Sequence, residues 1–405
     1  MTDAPDELER RAIGCLAGAA VGDALGGATE GYSPDAIRKR YDGPVCGIVG
    51  PFYDDWKDRR PASPYHKGDG HVTDDTLMTG LLTRVYAARR DHLDAYDVAS
   101  TLVPLMLTER IWIPELHEET IALKRVFLAE KWLVTRLQYA HADPREAGVG
   151  NMVNCGAAMY MAPVGIVNAG SPAGAYAEAV ELASTHQLSY GREAAGVFAA
   201  AVACAMVPGA TVASVVQACL DVARDGTRAA IAAVCDAAAG LSDPLAAAAP
   251  LRAAMSPFDT VGEDYRDPGL GARRPSRLHA IEELPVALGM LVVSGGDFGQ
   301  AVLGGVNYGR DADSIATMAG AISGALHGME SIPPEWAAGV AEGSRLDLQA
   351  GGRTMAAVAR EVFARDQERF SARTAAFTAL TASGGPPRGP VTRSPAPAAG
   401  QAVDQ

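Results

Sequence analysis

Apolar residues recur at three- and four-residue intervals through most of the chain, whereas the strict alternation expected of half-buried strands is scarce. The pattern predicts helices over about 7–26, 74–90, 94–109, 117–140, 172–186, 191–207, 211–224, 227–240, 278–294, 313–328 and 352–380. The expected fold class is all-α, a single helical domain over residues 1–382, because no Pro/Ser linker divides that region. The tail 383–405 is Pro, Ala and Gly with few large apolar residues, so it is expected to stay disordered. Two irregular stretches, about 43–72 and 257–277, are rich in Gly, Pro and charge. Segments this long inside a domain tend to be functional lids or disordered.

A second pattern lies on two of the helices. Gly14, Gly18 and Gly22 form a four-residue ridge on the first, and Gly320, Gly324 and Gly328 repeat the same step late in the chain. A ridge without side chains lets another helix approach closely. Membrane helices use this spacing too, but these two carry charges, and the longest nearly unbroken apolar run, about 194–207, falls short of the roughly 18 residues a span needs.

Composition narrows the partners. With 405 residues and 48% apolar content the chain can bury a large core, and 6% aromatic content alongside abundant Ala and Gly favours closely packed helices. A net charge of −13 argues against nucleic acid or an anionic membrane as the main partner. The acidic start of the chain, residues 1–11, has no apolar stretch and so no signal peptide is expected. Cys15, Cys46, Cys155, Cys204, Cys219 and Cys235 show no CxxC spacing and are read as buried free thiols of a cytoplasmic protein. Nothing in the pattern sets an oligomeric state.

The candidate chemistry sits in two acidic clusters, Thr73-Asp74-Asp75-Thr76 and Asp311-Ala312-Asp313-Ser314, each running into an apolar helical pattern. Either cluster alone is explained as a helix start, since Asp and Thr are good N-caps and acids there gain from the helix dipole. As a pair they read as halves of a binuclear site. Carboxylate and hydroxyl oxygens are the hard donors Mg²⁺ and Mn²⁺ prefer, and four carboxylates balance two divalent ions.

Five motifs, in order, resemble the ADP-ribosylglycohydrolases of the dinitrogenase reductase activating type. They are Gly18-Ala19-Ala20-Val21-Gly22-Asp23-Ala24-Leu25-Gly26 with Glu30 seven residues after Asp23, Thr73-Asp74-Asp75-Thr76, Asn154-Cys155-Gly156-Ala157-Ala158-Met159-Tyr160, Thr185-His186, and Asn307-Tyr308-Gly309-Arg310-Asp311-Ala312-Asp313-Ser314. The resemblance covers most of residues 12–330. It implies an orthogonal helical bundle with two Mg²⁺ or Mn²⁺ ions in a central cleft, held by Thr73, Asp74, Asp75, Asp311, Asp313 and Ser314. It further implies cleavage of an N-ribosyl bond in ADP-ribose, attached to a protein or to a small molecule. Such cleavage passes through an oxocarbenium-like ribose and needs a firmly held sugar, a delivered water and a proton carrier.

Glu30 is the candidate acid/base, with Asp23 and Asp75 beside it; a solvated loop glutamate is the ordinary alternative for Glu30. Asp23 near a helix C-terminus opposes the dipole, which hints at function. Asn154, Gly156, Tyr160, His186, Gly309 and Arg310 are the candidate substrate contacts, although a lone His after an apolar helix is often structural. Two departures from the family pattern stand out. Tyr160 replaces a common Arg, which puts a bidentate phosphate contact in doubt and leaves Arg310, or Arg273 and Arg274, as compensating cations. The stretch Trp112 to Glu146 is long and charged; it reads either as a cap over the cleft or as an ordinary amphipathic surface helix. A small-nucleotide hydrolase and a non-catalytic ADP-ribose binder remain alternative functions.

Overall fold

Capping residues set where the central helices begin. In the computed structural model, which describes residues 5–55, 66–269 and 271–382, the Asp6 side chain accepts from Glu9 N at 2.9 Å and opens α1 (Glu7–Gly27). Ser33 caps α2 (Pro34–Tyr41), and Thr73 caps α3 (Asp74–Arg89). Both helices stop at left-handed residues, Asp42 at φ 54° and Arg90 at φ 55°.

Helices continue through α4 (Ala95–Asp97), a π-helical turn and α5 (Val103–Thr108), then α6 (Leu128–Leu133), α7 (Ala162–Val167), α8 (Pro172–Ala183), α9 (Ser189–Ala205) and α10 (Val212–Val222). The last group is α11 (Asp225–Ala238), α12 (Pro244–Met255), α13 (Glu283–Val293), α14 (Phe298–Tyr308), α15 (Ala312–His327), α16 (Pro334–Ser344) and α17 (Ala350–Ala382). The all-α expectation holds. One small antiparallel hairpin, β1 (Arg110–Ile113) and β2 (Glu118–Ile121), is the named sheet among the described residues. No described helix is long and apolar enough to cross a membrane.

The first part of the helix expected over 117–140 is replaced by this hairpin and a 3₁₀ turn at Ala122–Lys124, whereas the second part is helical, α6 running on into a π-helical segment at Val134–Tyr139. Ile111, Ile113, Thr120 and Ile121 are β-branched and favour the paired strands, while Pro114 and the left-handed His117 at φ 51° make the turn between them. The helix-like spacing of Leu123, Val126 and Phe127 arises by chance across the 3₁₀ turn and the start of α6.

From Arg11 to Gly27 every residue of α1 is buried, and α15 is buried from Ala312 to Leu326. Helices buried all round form the centre of a helical domain, and here the two glycine ridges meet. A Cβ added at Gly14 would lie 2.3 Å from Gly324 O, at Gly18 2.3 Å from Gly320 O, and at Gly22 2.1 Å from Ala316 O. Side chains at these points would push the helices apart.

By internal contacts the chain divides into a unit ending at Phe363 and a second starting at Ala364. The tail 383–405 lies outside the described residues. All six cysteines are free, but not all are buried as expected: Cys15, Cys155 and Cys219 are buried, Cys204 and Cys235 are half-buried, and Cys46 is exposed.

Candidate active site

The close approach of α1 and α15 brings the early and late acidic motifs together. Gly26 faces Asp313 so tightly that an added Cβ would sit 2.5 Å from Asp313 Cα. One turn earlier, Asp23 accepts from Thr73 N at 3.0 and 2.9 Å and from Thr76 N at 3.1 Å, and Thr76 Oγ1 donates to the same carboxylate. Near the end of α1, Asp23 breaks the dipole rule; at the start of α3 it obeys it, because its charge meets the amide groups of that helix's N-terminus. Carboxylate oxygens of Asp23, Asp75 and Asp313 lie within 4.8 Å of one another.

A second cluster, Glu30, Asp311 and Asp313, satisfies the same distance and shares Asp313 with the first. Its geometry depends on two turns stitched together: Arg310 N donates to Tyr32 O at 2.9 Å, Gly31 N donates to Arg310 O at 2.5 Å, and Thr29 Oγ1 donates to Val306 O at 2.7 Å. Gly309 sits at φ 74° with Tyr32 O 2.0 Å from where a Cβ would be, so only glycine fits. The Lys67 ammonium pairs with Glu30 and lies 3.2 Å from Asp313 Oδ2.

These groups line a cavity of about 490 Å³. Glu30, Asp74, Asp75, Asp311, Asp313 and Ser314 line it, together with Phe127, Glu130, Lys131, Asn154, Gly156 and Arg273. A larger neighbouring cavity of about 820 Å³, lined by Arg38, Arg252 and Arg310, contains neither acidic cluster. Thr73 is fully buried behind the cavity as the α3 cap. Asp74 accepts from Phe127 N at 3.1 Å through Oδ2.

Crowded acids raise one another's proton affinity. Burial first, then Asp313, lifts both Asp23 and Asp311 to about 6. Burial, then Asp313 and Asp23, pushes Asp75 well above the usual range. Asp313 goes the other way: burial would raise it, but Lys67 and several hydrogen bonds outweigh burial and hold it low.

Four of the candidate substrate contacts, Tyr160, His186, Gly309 and Arg310, stand outside the cavity lining, as do Asp23 and Thr73. Tyr160 is buried with its hydroxyl 3.1 Å from His186 Nδ1, and His186 Nε2 lies 3.5 Å from Glu130 Oε1. Burial lowers His186 to about 4, and burial followed by Asp74 raises Glu130 well above its usual range. Tyr160 and His186 are hydrogen-bonded to each other, and His186 Nε2 lies next to Glu130 with no hydrogen-bond partner among the described residues. Gly156 lines the cavity, but its missing side chain makes room for protein: a Cβ would be 2.5 Å from Glu130 Oε1. Asn154 Oδ1 is taken by Gly156 N at 3.1 Å and Gln187 Nε2 at 2.7 Å, which leaves its amide NH₂ as the group to present.

Gly309 joins turns, and Arg310 is spent on protein, pairing with Glu282 and, at 3.0 Å, with Asp259. Of the compensating cations, Arg273 lines the cavity. Sequence reading missed Lys67, Glu130 and Glu283. Glu283 lies within 4.8 Å of Asp311 and Cys155, and burial followed by Asp311 raises it well above its usual range. A signal existed for it, since Glu282-Glu283 opens an apolar helix just as the other two clusters do.

Comparison with known proteins identifies the family. The family model described as ADP-ribosylglycohydrolase matches residues 4–372. The chain is 26% identical over 349 residues to the ADP-ribosylarginine hydrolase Tri1 of Pseudomonas putida (strain GB-1), covering 83% of this chain and 76% of that one. It is 24% identical over 341 residues to the uncharacterized protein YegU of Escherichia coli (strain K12), covering 84% and 94%. A solved structure titled ADP-ribosylglycohydrolase-related protein complex shares the fold at TM-score 0.55 and 21% identity, covering 87% of this chain and 99% of that one. The chain therefore belongs to the ADP-ribosylglycohydrolase family and is a hydrolase of glycosidic bonds.

Proposed function

We propose that the chain hydrolyses the N-ribosyl bond of an ADP-ribose conjugate, with divalent Mg²⁺ or Mn²⁺ held by Asp74, Asp75, Asp311, Asp313 and Ser314, and with Thr73 as part of the ligand set. The observation that carries this reading is the meeting of Asp75, Asp311, Asp313 and Glu30 around one cavity. The residues fit hard cations: every donor in the two clusters is a carboxylate oxygen, and Asp75 Oδ1 is buried with no hydrogen-bond partner among the described residues. What the cations supply when bound is Lewis acidity toward a ribose hydroxyl and a water.

The chain's own groups account for the remaining requirements. Glu30, beside the shared Asp313, is the carboxylate that takes a proton from water or returns one to the leaving group. Asp23 holds the Thr73–Thr76 turn in place and so orients Asp75. Arg273 and Lys131 meet the diphosphate, in place of Arg310 and of the Arg that Tyr160 replaces. Asn154 offers its amide NH₂ to a ribose or phosphate oxygen. The named arginine-linked relative makes ADP-ribosylarginine the first conjugate to test. The Phe127–Lys131 segment favours a second reading, a small-nucleotide substrate, because it takes up part of the lining of a cavity of about 490 Å³.

Purified protein with Mn²⁺ is expected to release free ADP-ribose from an ADP-ribosylated arginine peptide, followed by mass detection. Activity on small nucleotide conjugates alone would select the second reading. Glu30→Gln should bind ADP-ribose normally yet lose at least about a hundredfold in kcat, the lower end of what acid/base catalysis contributes. Unchanged turnover would remove Glu30 from the reaction.

A further inference from the structure

The two acidic clusters differ in one respect: the second already contains a cation. Lys67, on the segment leading into Thr73, pairs through Nζ with Glu30 and with Asp313, and its side chain is only 13% exposed. A buried ammonium is costly unless carboxylates surround it. Both of its partners belong to the Glu30–Asp311–Asp313 cluster. The Asp23–Asp75–Asp313 cluster has no such pairing except through the shared Asp313, and it retains the unpartnered Asp75 Oδ1. One cluster thus already holds a cation supplied by the chain itself, on Glu30 and Asp313, and the other shares that cation only through Asp313.

We infer that Lys67 is a resident cation of the Glu30 cluster, so that the chain takes one divalent ion readily at the Asp75 cluster and a second only weakly. This rests on the metal-dependent reading above and ranks the two positions within it. Like charges about 4 Å apart repel by enough, at the intermediate dielectric of a partly buried site, to weaken a second ion about a hundredfold or more. The four-carbon stem of lysine lets Nζ withdraw when that position is forced to fill. Lys67 then doubles as a hold on Glu30, keeping the carboxylate turned toward Asp313.

Mn²⁺ titration of the full chain, with free aquo-Mn²⁺ read by electron paramagnetic resonance, tests this without reference to turnover. Wild type and Lys67→Arg are expected to bind one ion tightly, and Lys67→Met two, the second gaining about a hundredfold in affinity. Two ions of similar affinity in wild type, or only one in Lys67→Met, would overturn the assignment while leaving metal dependence intact. Absence of Mn²⁺ binding in wild type would overturn both at once. A thermal melt checks that Lys67→Met is folded; if it is not, the wild-type stoichiometry decides by itself.

Discussion

Where α1 meets α15, the acidic side of the cleft is held by backbone lying on backbone, with Gly14, Gly18, Gly22 and Gly26 against the main chain of residues 312–328. Elsewhere in the cavity lining, Phe127–Lys131 and Asn154–Gly156 are held by side-chain hydrogen bonds: Asp74 to Phe127 N, Gln187 to Asn154, and Cys155 to Asp311. The first arrangement has no tolerance for volume, since an added methyl has nowhere to go. The second depends on its partners as well as on volume: its members are buried polar groups, and at Gly156 a Cβ would meet Glu130 Oε1 at 2.5 Å. Three of the six metal-ligand candidates, Asp311, Asp313 and Ser314, sit at the start of α15 on this tightly packed side.

That contrast is broken most directly by Gly22→Ala. Its Cβ would meet Ala316 O at 2.1 Å, and the expected loss is about 3 kcal/mol, the upper part of the range for overpacking, measured by denaturant unfolding. Gly80→Ala is the control: it lies exposed within α3 with open space around it, and it should gain about 0.5 kcal/mol. Equal effects at the two positions would mean that the ridge is not the constraint.

Acidity sharpens the same comparison. Asp23 and Asp311 titrate in the folded chain at about 6, above the ordinary 3.8. In the absence of metal they therefore add stability that is fully present below about 3.8 and lost as pH rises through about 6. A divalent ion must displace those protons, so its effect has the opposite sign. The Mn²⁺-induced rise in Tm should be largest above pH 7 and shrink below pH 6, apparent affinity falling about tenfold per pH unit for each proton displaced. A Tm gain independent of pH between 5 and 8 would show that these acids do not face the ion.

The smallest effect is expected on the polar wall. Glu130 is held toward its protonated form, and Gln reproduces that form, so Glu130→Gln should change stability by less than about 1 kcal/mol and kcat/KM by less than about threefold. A larger loss of activity would mean that the ionised carboxylate is needed.

The legibility of the two walls follows from how each is built. Glycines every fourth residue and acids at helix starts are local patterns, so the α1 and α15 ridges and both acidic clusters could be read from the chain alone. The second wall depends on contacts between segments far apart, such as Asp74 with Phe127 and Glu130 with His186. No spacing rule encodes these. The start of the 117–140 region misled for the same reason, since a hairpin strand and a 3₁₀ turn space their apolar residues as if they continued the helix that begins at Leu128. Lys67 carried no signal because a lone lysine in an irregular stretch is ordinarily solvated, and Arg310 looked available because its partners Glu282 and Asp259 lie 28 and 51 residues away in sequence.

Glycine-on-glycine contact between α1 and α15 also has a consequence for synthesis. The cradle is split between residues that leave the ribosome early and residues that leave about 240 positions later, so a nascent chain holds half of it until α15 emerges. Because the two helices touch without intervening side chains, docking is close to all-or-none: a partly docked pair leaves Asp75 and Asp313 too far apart to share a cation. On the metal-dependent reading proposed above, metal uptake is then a late event of maturation, and a translation product truncated before residue 312 would carry the early acids without their late partners.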